Sequence, residues 1–111
     1  MEDCIFCKII LGEIPCQKIL EDDNFIVIKD ANPRVIDHLL VIPKEHYENF
    51  SDIPSELYGN LLEIVKKAVE KLGVNEFNLV VNNGKSAGQL ISHAHLHILP
   101  RKEDDGFRLN V

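Results

Sequence analysis

His93-Ala-His-Leu-His-Ile-Leu-Pro-Arg101 places three of the chain's five histidines at every second position, with apolar residues between them. Alternation of period two is a strand pattern, because side chains at i, i+2 and i+4 share one face of an extended chain. The stretch predicts a β-strand over 93–99 that turns His93, His95 and His97 to one side and Ala94, Leu96 and Ile98 to the other. The apolar side is core. The imidazole side is where chemistry is available.

Upstream, residues 77–81 read as a partner strand, separated from the histidines by the polar loop Asn82-Asn-Gly-Lys-Ser-Ala-Gly-Gln89. One long helix precedes it. Pro54 sits near its start, where a missing N–H costs little, and Leu57, Leu61, Ile64, Val65, Ala68, Val69 and Leu72 recur as its buried stripe. Gly73 is its stop. Residues 18–21 and 25–29, joined by Asp22-Asp23-Asn24, read as a hairpin, and 38–43 as a third strand ended by Pro43. Residues 6–11 form a short helix closed by Gly12 and Pro15. This order predicts an α+β fold, an antiparallel sheet of about five strands with one long and one short helix packed on one side.

With 111 residues the chain has the size of a single domain spanning 1–111, large enough for one hydrophobic core without disulfide staples. A net charge of −6 argues against a nucleic-acid or membrane partner, each of which needs a surface excess of Lys and Arg. A single bound nucleotide needs only local donors and is not excluded. No basic segment leads into an apolar one near the start, and no apolar run approaches the ~18 residues of a membrane span. A cytoplasmic protein is expected. Three cysteines, Cys4, Cys7 and Cys16, leave an odd thiol and fit a reducing compartment better than a disulfide framework.

The loop offers a false lead. Gly84-Lys85-Ser86 mimics the end of a Walker phosphate loop, but that motif needs glycine at position 79, which is Leu79, and a following helix. The triphosphatase reading fails, leaving either a plain connection or a glycine-containing turn whose N–H groups hold an anion. The histidines carry more. Positions 93 and 97 lie roughly 13 Å apart along an extended strand, which disfavours one ion held by all three. A neutral imidazole is a good nucleophile toward phosphorus, and a second one nearby protonates a leaving group or binds developing negative charge.

His93-Ala-His-Leu-His-Ile-Leu99 matches the pattern His-φ-His-φ-His-φ-φ, where φ is apolar, and so resembles the histidine triad (HIT) superfamily of nucleotide-binding hydrolases and transferases. Cys4-Ile-Phe-Cys-Lys-Ile-Ile10, Gly12-Glu-Ile-Pro15, His38-Leu-Leu-Val-Ile-Pro-Lys44 with His46, Asn82-Asn-Gly84 and Gly88-Gln89 also resemble it, so nearly the whole chain is covered. The sequence looks closest to the Hint branch of purine nucleoside phosphoramidases. The resemblance implies that His95 attacks the α-phosphorus of a nucleotide conjugate, forming a nucleotidyl-histidine that water resolves, while His97 and His38 contact the phosphate and handle charge and protons. It places Asn82 and Gln89 beside the phosphate or leaving group, Asp30 at the ribose, and Phe6, Ile9, Ile14, Ile28 and Leu40 around the purine. Ordinary core is the competing role for those apolar residues, and a turn acid before Asn32-Pro33 is the competing role for Asp30. One departure stands out: Leu90 occupies a position where the phosphoramidases commonly place a serine.

Cys4-x-x-Cys7 alone reads as a redox pair, a metal knuckle or two plain thiols, and only three residues precede it, too few for the strand that a thioredoxin-like motif needs. The resemblance to zinc-bearing bacterial members implies Cys4, Cys7, His46 and His93 as a closed structural zinc site with no open position for water. No organic cofactor is expected. The resemblance also implies a homodimer, for which 77–81 and the outer face of the long helix are candidate surfaces. The expected activity is hydrolysis of adenosine or guanosine 5'-monophosphoramidates. Two alternatives are a dinucleoside polyphosphate hydrolase, which Leu99-Pro-Arg-Lys102 resembles, and a nucleotide-binding regulatory module with weak catalysis.

Overall fold

The computed structural model describes residues 3–109. Its elements are α1 (Ile5–Ile10), β1 (Lys18–Glu21), β2 (Phe25–Lys29), β3 (Leu39–Pro43), α2 (Tyr58–Leu72), β4 (Phe77–Val80) and β5 (Leu96–Pro100). Short 3₁₀ turns lie at Phe50–Asp52, Ser55–Leu57 and Lys85–Ala87. The five strands form one antiparallel sheet in the order β1-β2-β3-β5-β4. The expected α+β architecture is present. The first hairpin is closed by the Asp22 carboxylate, which accepts the N–H groups of Asn24 and Phe25 at 2.8 Å each, an Asx turn that replaces missing ladder bonds.

Period two sorts the side chains into two layers. Phe25 and Val27, Leu39 and Val41, and Leu96 and Ile98 pack against Leu61, Ile64, Val65, Ala68 and Val69 of α2. The intervening Ile26, Ile28, Leu40 and Ile42 pack with Phe6 of α1. The two helices therefore cover opposite faces of the sheet, which corrects the expectation of one side. A helix of six residues carries too little periodicity to show which face it seeks, and only Phe6 within it is fully buried. α2 ends where expected, at Gly73 in the left-handed region with φ 67, a conformation that costs a residue with a Cβ roughly 1–2 kcal/mol. No helix of the described residues is long and apolar enough to cross a membrane.

The last strand begins later than its alternation predicts, at Leu96 rather than His93. Leu39, Leu40 and Val41 pair with Ile98, His97 and Leu96, so continuing the ladder would bring 94 opposite Pro43. Proline has no N–H to give, and its carbonyl accepts from His93 Nε2 at 2.9 Å instead. The Ala94 N–H turns to Tyr47 O at 2.7 Å. Residues 93–95 thus leave the ladder while Ala94, Leu96 and Ile98 stay buried.

Candidate functional site

The register places the chemistry. Ile28 lies opposite Leu40, and Leu40 opposite His97; directly opposed residues share a face. His97 therefore emerges on the α1 side beside an apolar floor. Asp30 follows β2 and His38 precedes β3, and the Asp30 N–H donates to His38 O at 2.9 Å, which brings both side chains to the same end. The result is a cleft of about 860 Å³ that brings together the predicted Phe6, Ile9, Ile14, Ile28, Leu40, Asp30, His38, Asn82, His95 and His97.

Hydrogen bonds set the tautomers. His95 Nδ1 lies 2.8 Å from His93 O, a carbonyl that only accepts, so Nδ1 carries the proton and the Nε2 lone pair is free. Its ring is braced edge-on by Phe6 at 5.1 Å and by His97 at 5.0 Å between centroids. His38 Nδ1 accepts the Arg34 N–H at 3.1 Å, so its proton is on Nε2. That proton faces His97 Nδ1 at 3.0 Å, with Asp30 Oδ2 alongside at 3.4 Å. His97 is left with its proton on Nε2, a donor.

Burial disfavours the charged forms of His38 and His97. It lowers His97 to about 4, helped by the neighbouring His95 and His38 and opposed by Asp30. It lowers His38 as well, against the pull of Asp30. An anion entering the cleft would therefore face the neutral His97 Nε2–H rather than an imidazolium, with Lys29 and Arg34 on the cleft wall as the nearby cations. One oxygen of Asp30 accepts the Asn32 N–H at 2.9 Å, the turn-acid role, and the residue also lines the cleft.

Gln89 does not join the site as expected. Its Oε1 accepts the Gly84 N–H at 2.7 Å, and its Nε2 donates to Glu48 O and Ile91 O at 2.7 and 2.9 Å. With both ends of the amide engaged, it braces the loop instead of facing a phosphate. Leu90 beside it is 90% exposed and lines the cleft rim.

Cys4, Cys7, His46 and His93 present donor atoms that all lie within 4.8 Å of one another. His46 Nδ1 is 3.2 Å from Cys7 Sγ, and His93 Nδ1 is 3.3 Å from Cys4 Sγ. The His93 Nε2 proton is donated to Pro43 O, so the Nδ1 lone pair points at the thiols. A fixed tautomer with a second-partner hydrogen bond is what zinc-ligating histidines require, and a Cys₂His₂ set suits a tetrahedral ion. The residues fit zinc. Asp30, His38 and His97 also converge within 4.8 Å, but His38 already accepts at Nδ1. Binding a metal through Nε2 too would demand an imidazolate, so this cluster is a proton-ordering chain.

Val80, Leu99, Phe107 and Leu109 also line the cleft without having been anticipated. Arg101 holds Phe107 in reach: it donates to Asp105 at 2.8 and 3.0 Å, to Asn78 Oδ1 at 2.8 Å and to Phe107 O, and its guanidinium lies 5.2 Å from the Phe107 ring centroid. No pattern of spacing announces such a knot; the Asp105-Gly106 turn is its one local sign.

The family model of the HIT domain matches residues 11–104. An uncharacterized HIT-like protein of Methanocaldococcus jannaschii is 50% identical over 106 residues, covering 93% of this chain and 82% of that protein. An adenylylsulfatase of Arabidopsis thaliana is 47% identical over 107 residues; they make up 93% of this chain and 54% of the relative, so the chain spans about half its length. An adenosine 5'-monophosphoramidase of Schizosaccharomyces pombe is 38% identical over 102 residues, 92% of this chain and 77% of that one. Among solved structures, a Zn-bound histidine triad family protein from Mycobacterium smegmatis aligns with a TM-score of 0.83 at 37% identity, covering 94% of this chain and 78% of that one.

Proposed function

Because the chain belongs to the HIT domain family, we propose that it is a nucleotide hydrolase that cleaves purine nucleoside 5'-monophosphoramidates through a nucleotidyl-His95 intermediate. The observation that carries this reading is the His95 Nδ1 bond to His93 O, which leaves Nε2 unprotonated in the cleft. The purine lies among Phe6, Ile9, Ile14, Ile28 and Leu40, and Asp30 accepts from the ribose hydroxyls. Nε2 attacks the α-phosphorus and the P–N bond breaks. The His93 carbonyl stabilises the positive charge that spreads over the phosphorylated imidazole. His97 Nε2–H donates to a non-bridging oxygen, held in that tautomer by His38 and Asp30; Asn82 stands beside it. The departing amine takes its proton from water in the open cleft. A second water then attacks phosphorus, releasing the nucleoside monophosphate and restoring His95.

The two named relatives support the adenylyl half of this reading and divide on the leaving group, an amine for one and sulfate for the other. Leu90 supplies no donor and Gln89 is occupied, which favours sulfate as a second substrate because it departs without a proton. Arg101 is committed to Asp105, Asn78 and Phe107, which disfavours the polyphosphate reading. Incubation with adenosine 5'-phosphoramidate, adenylyl sulfate and diadenosine polyphosphates tests the assignment: turnover of the first, abolished by His95→Ala, supports it, and preference for the polyphosphates overturns it. A homodimer is part of the reading, supported by the position of β4 at the sheet edge with Phe77 and Leu79 exposed.

A further inference from the structure

The four-ligand cluster and the nucleophile are joined through a single residue. His93 uses three atoms in three directions: Nδ1 faces Cys4 Sγ at 3.3 Å and Cys7 Sγ at 3.6 Å, Nε2 donates to Pro43 O at 2.9 Å, and its main-chain oxygen accepts from His95 Nδ1 at 2.8 Å. Its side chain is completely buried. Ring and carbonyl belong to one residue, so a shift of the His93 backbone that moves the ring off the thiols also moves the carbonyl that decides where the proton of His95 sits. A second link runs through Phe6, which lies in α1 between the two cysteines and stands edge-on to both His93, at 5.7 Å, and His95, at 5.1 Å. α1 itself begins on the cluster, with Cys4 Sγ accepting the Cys7 N–H at 3.3 Å.

Cys4, Cys7, His46 and His93 without a cation are two thiols and two imidazoles in weak contact. Sulfur hydrogen bonds are weak and poorly directional, so beside the firm bond to Pro43 O they add little hold on the Nδ1 side of the His93 ring or on the start of α1. Zinc in this cluster supplies bonds strong enough to lock all four side chains. Losing a partner that orients a metal ligand typically changes metal affinity or activity by about 10–100-fold.

We propose that His93 and Phe6 are positioning residues that make the tautomer and aim of His95 depend on whether the Cys4, Cys7, His46, His93 site is filled. The effect falls on the chemical step more than on nucleotide affinity, since of the residues around the nucleoside only Phe6 and Ile9 belong to α1, whereas Ile14, Ile28, Leu40 and Asp30 lie outside it. The inference rests on the proposed role of His95, yet part of its test does not need turnover.

The experiment compares zinc-loaded protein, protein stripped by a chelator, stripped protein given zinc again, and His46→Asn, whose altered side chain lies outside the cleft. Circular dichroism establishes that each sample is folded. Imidazole ¹⁵N spectra should show a protonated His95 Nδ1 in the loaded and restored samples and a tautomer mixture in the other two. At saturating adenosine 5'-phosphoramidate, nucleotidyl transfer to the protein should slow at least about tenfold on stripping or in His46→Asn, recover with zinc, and leave AMP affinity within about threefold. An unchanged His95 tautomer and rate overturn the coupling. Equal losses of rate and AMP affinity overturn it too, because they mean that a loosened α1 has opened the cleft. If loaded protein forms no adduct, the functional reading fails while the spectra still decide the coupling.

Discussion

His38 Nε2 stands 3.0 Å from His97 Nδ1, and the Arg34 N–H on the other side of His38 dictates which ring donates to which. The pair is a one-way chain, ending in the Nε2–H of His97. Its burial holds both rings neutral, and several measurable properties follow from that.

Acid should weaken the fold through His97. Its pKa falls from 6.5 when unfolded to about 4 when folded, so between those values the unfolded chain binds more protons and stability drops as pH falls. The contribution is complete above about 6.5 and lost by about 4. Urea midpoints measured across that window should decline in the parent protein, and the decline should be shallower in His97→Asn. Equal slopes would show that the His97 ring is not buried as described.

The rim of the cleft should make the enzyme sensitive to the basicity of the departing amine. With Leu90 exposed there and the Gln89 amide engaged, arylamine phosphoramidates should turn over faster than alkylamine ones by about tenfold or more, the scale of a missing proton donor. Leu90→Ser should narrow that gap by raising the alkylamine rate. A gap unchanged by the substitution contradicts the placement of Leu90 beside the leaving group.

Asp30 should read the sugar. Replacing it with Asn leaves an acceptor for the Asn32 N–H but would remove the charge-assisted bonds proposed to the ribose, worth about 1.5–3 kcal/mol. kcat/KM for adenosine phosphoramidate should fall by about tenfold or more, and the preference over the 2'-deoxy compound should shrink. Retained discrimination would return Asp30 to a turn acid alone.

Protein purified without added zinc should contain about one ion per chain, and its thiols Cys4 and Cys7 should resist alkylation until a chelator is present. Chelation should also lower the melting temperature, since the cluster ties the start of α1 to residues near β3 and β5. Freely titrating thiols with no bound metal reject the site.

Much of this was readable from residue order, and the exceptions have physical causes. Alternation at Ala94, Leu96 and Ile98, and the stripe from Leu61 to Val69, report burial directly because each periodicity matches one backbone geometry. The start of β5 was hidden because it depends on Pro43, fifty residues away, lacking an N–H and engaging His93. Gln89 looks like a phosphate ligand in a glycine-containing loop, yet its partners Gly84, Glu48 and Ile91 come together only in the fold. The cysteine pair showed half a metal site, while His46 and His93 were connected to it only by resemblance. Phe107 could not be placed, since the knot that holds it joins Arg101 to Asn78 across two strands.

Mass mapping after rapid acid-free quenching of a reaction with adenosine 5'-phosphoramidate tests the central claim most directly. The account predicts an adenylyl group on the peptide carrying His95, attached at that imidazole, absent from His95→Ala and retained in His97→Asn at a slower rate of formation. An adduct on His38 or His97, or brisk turnover by His95→Ala, would contradict it.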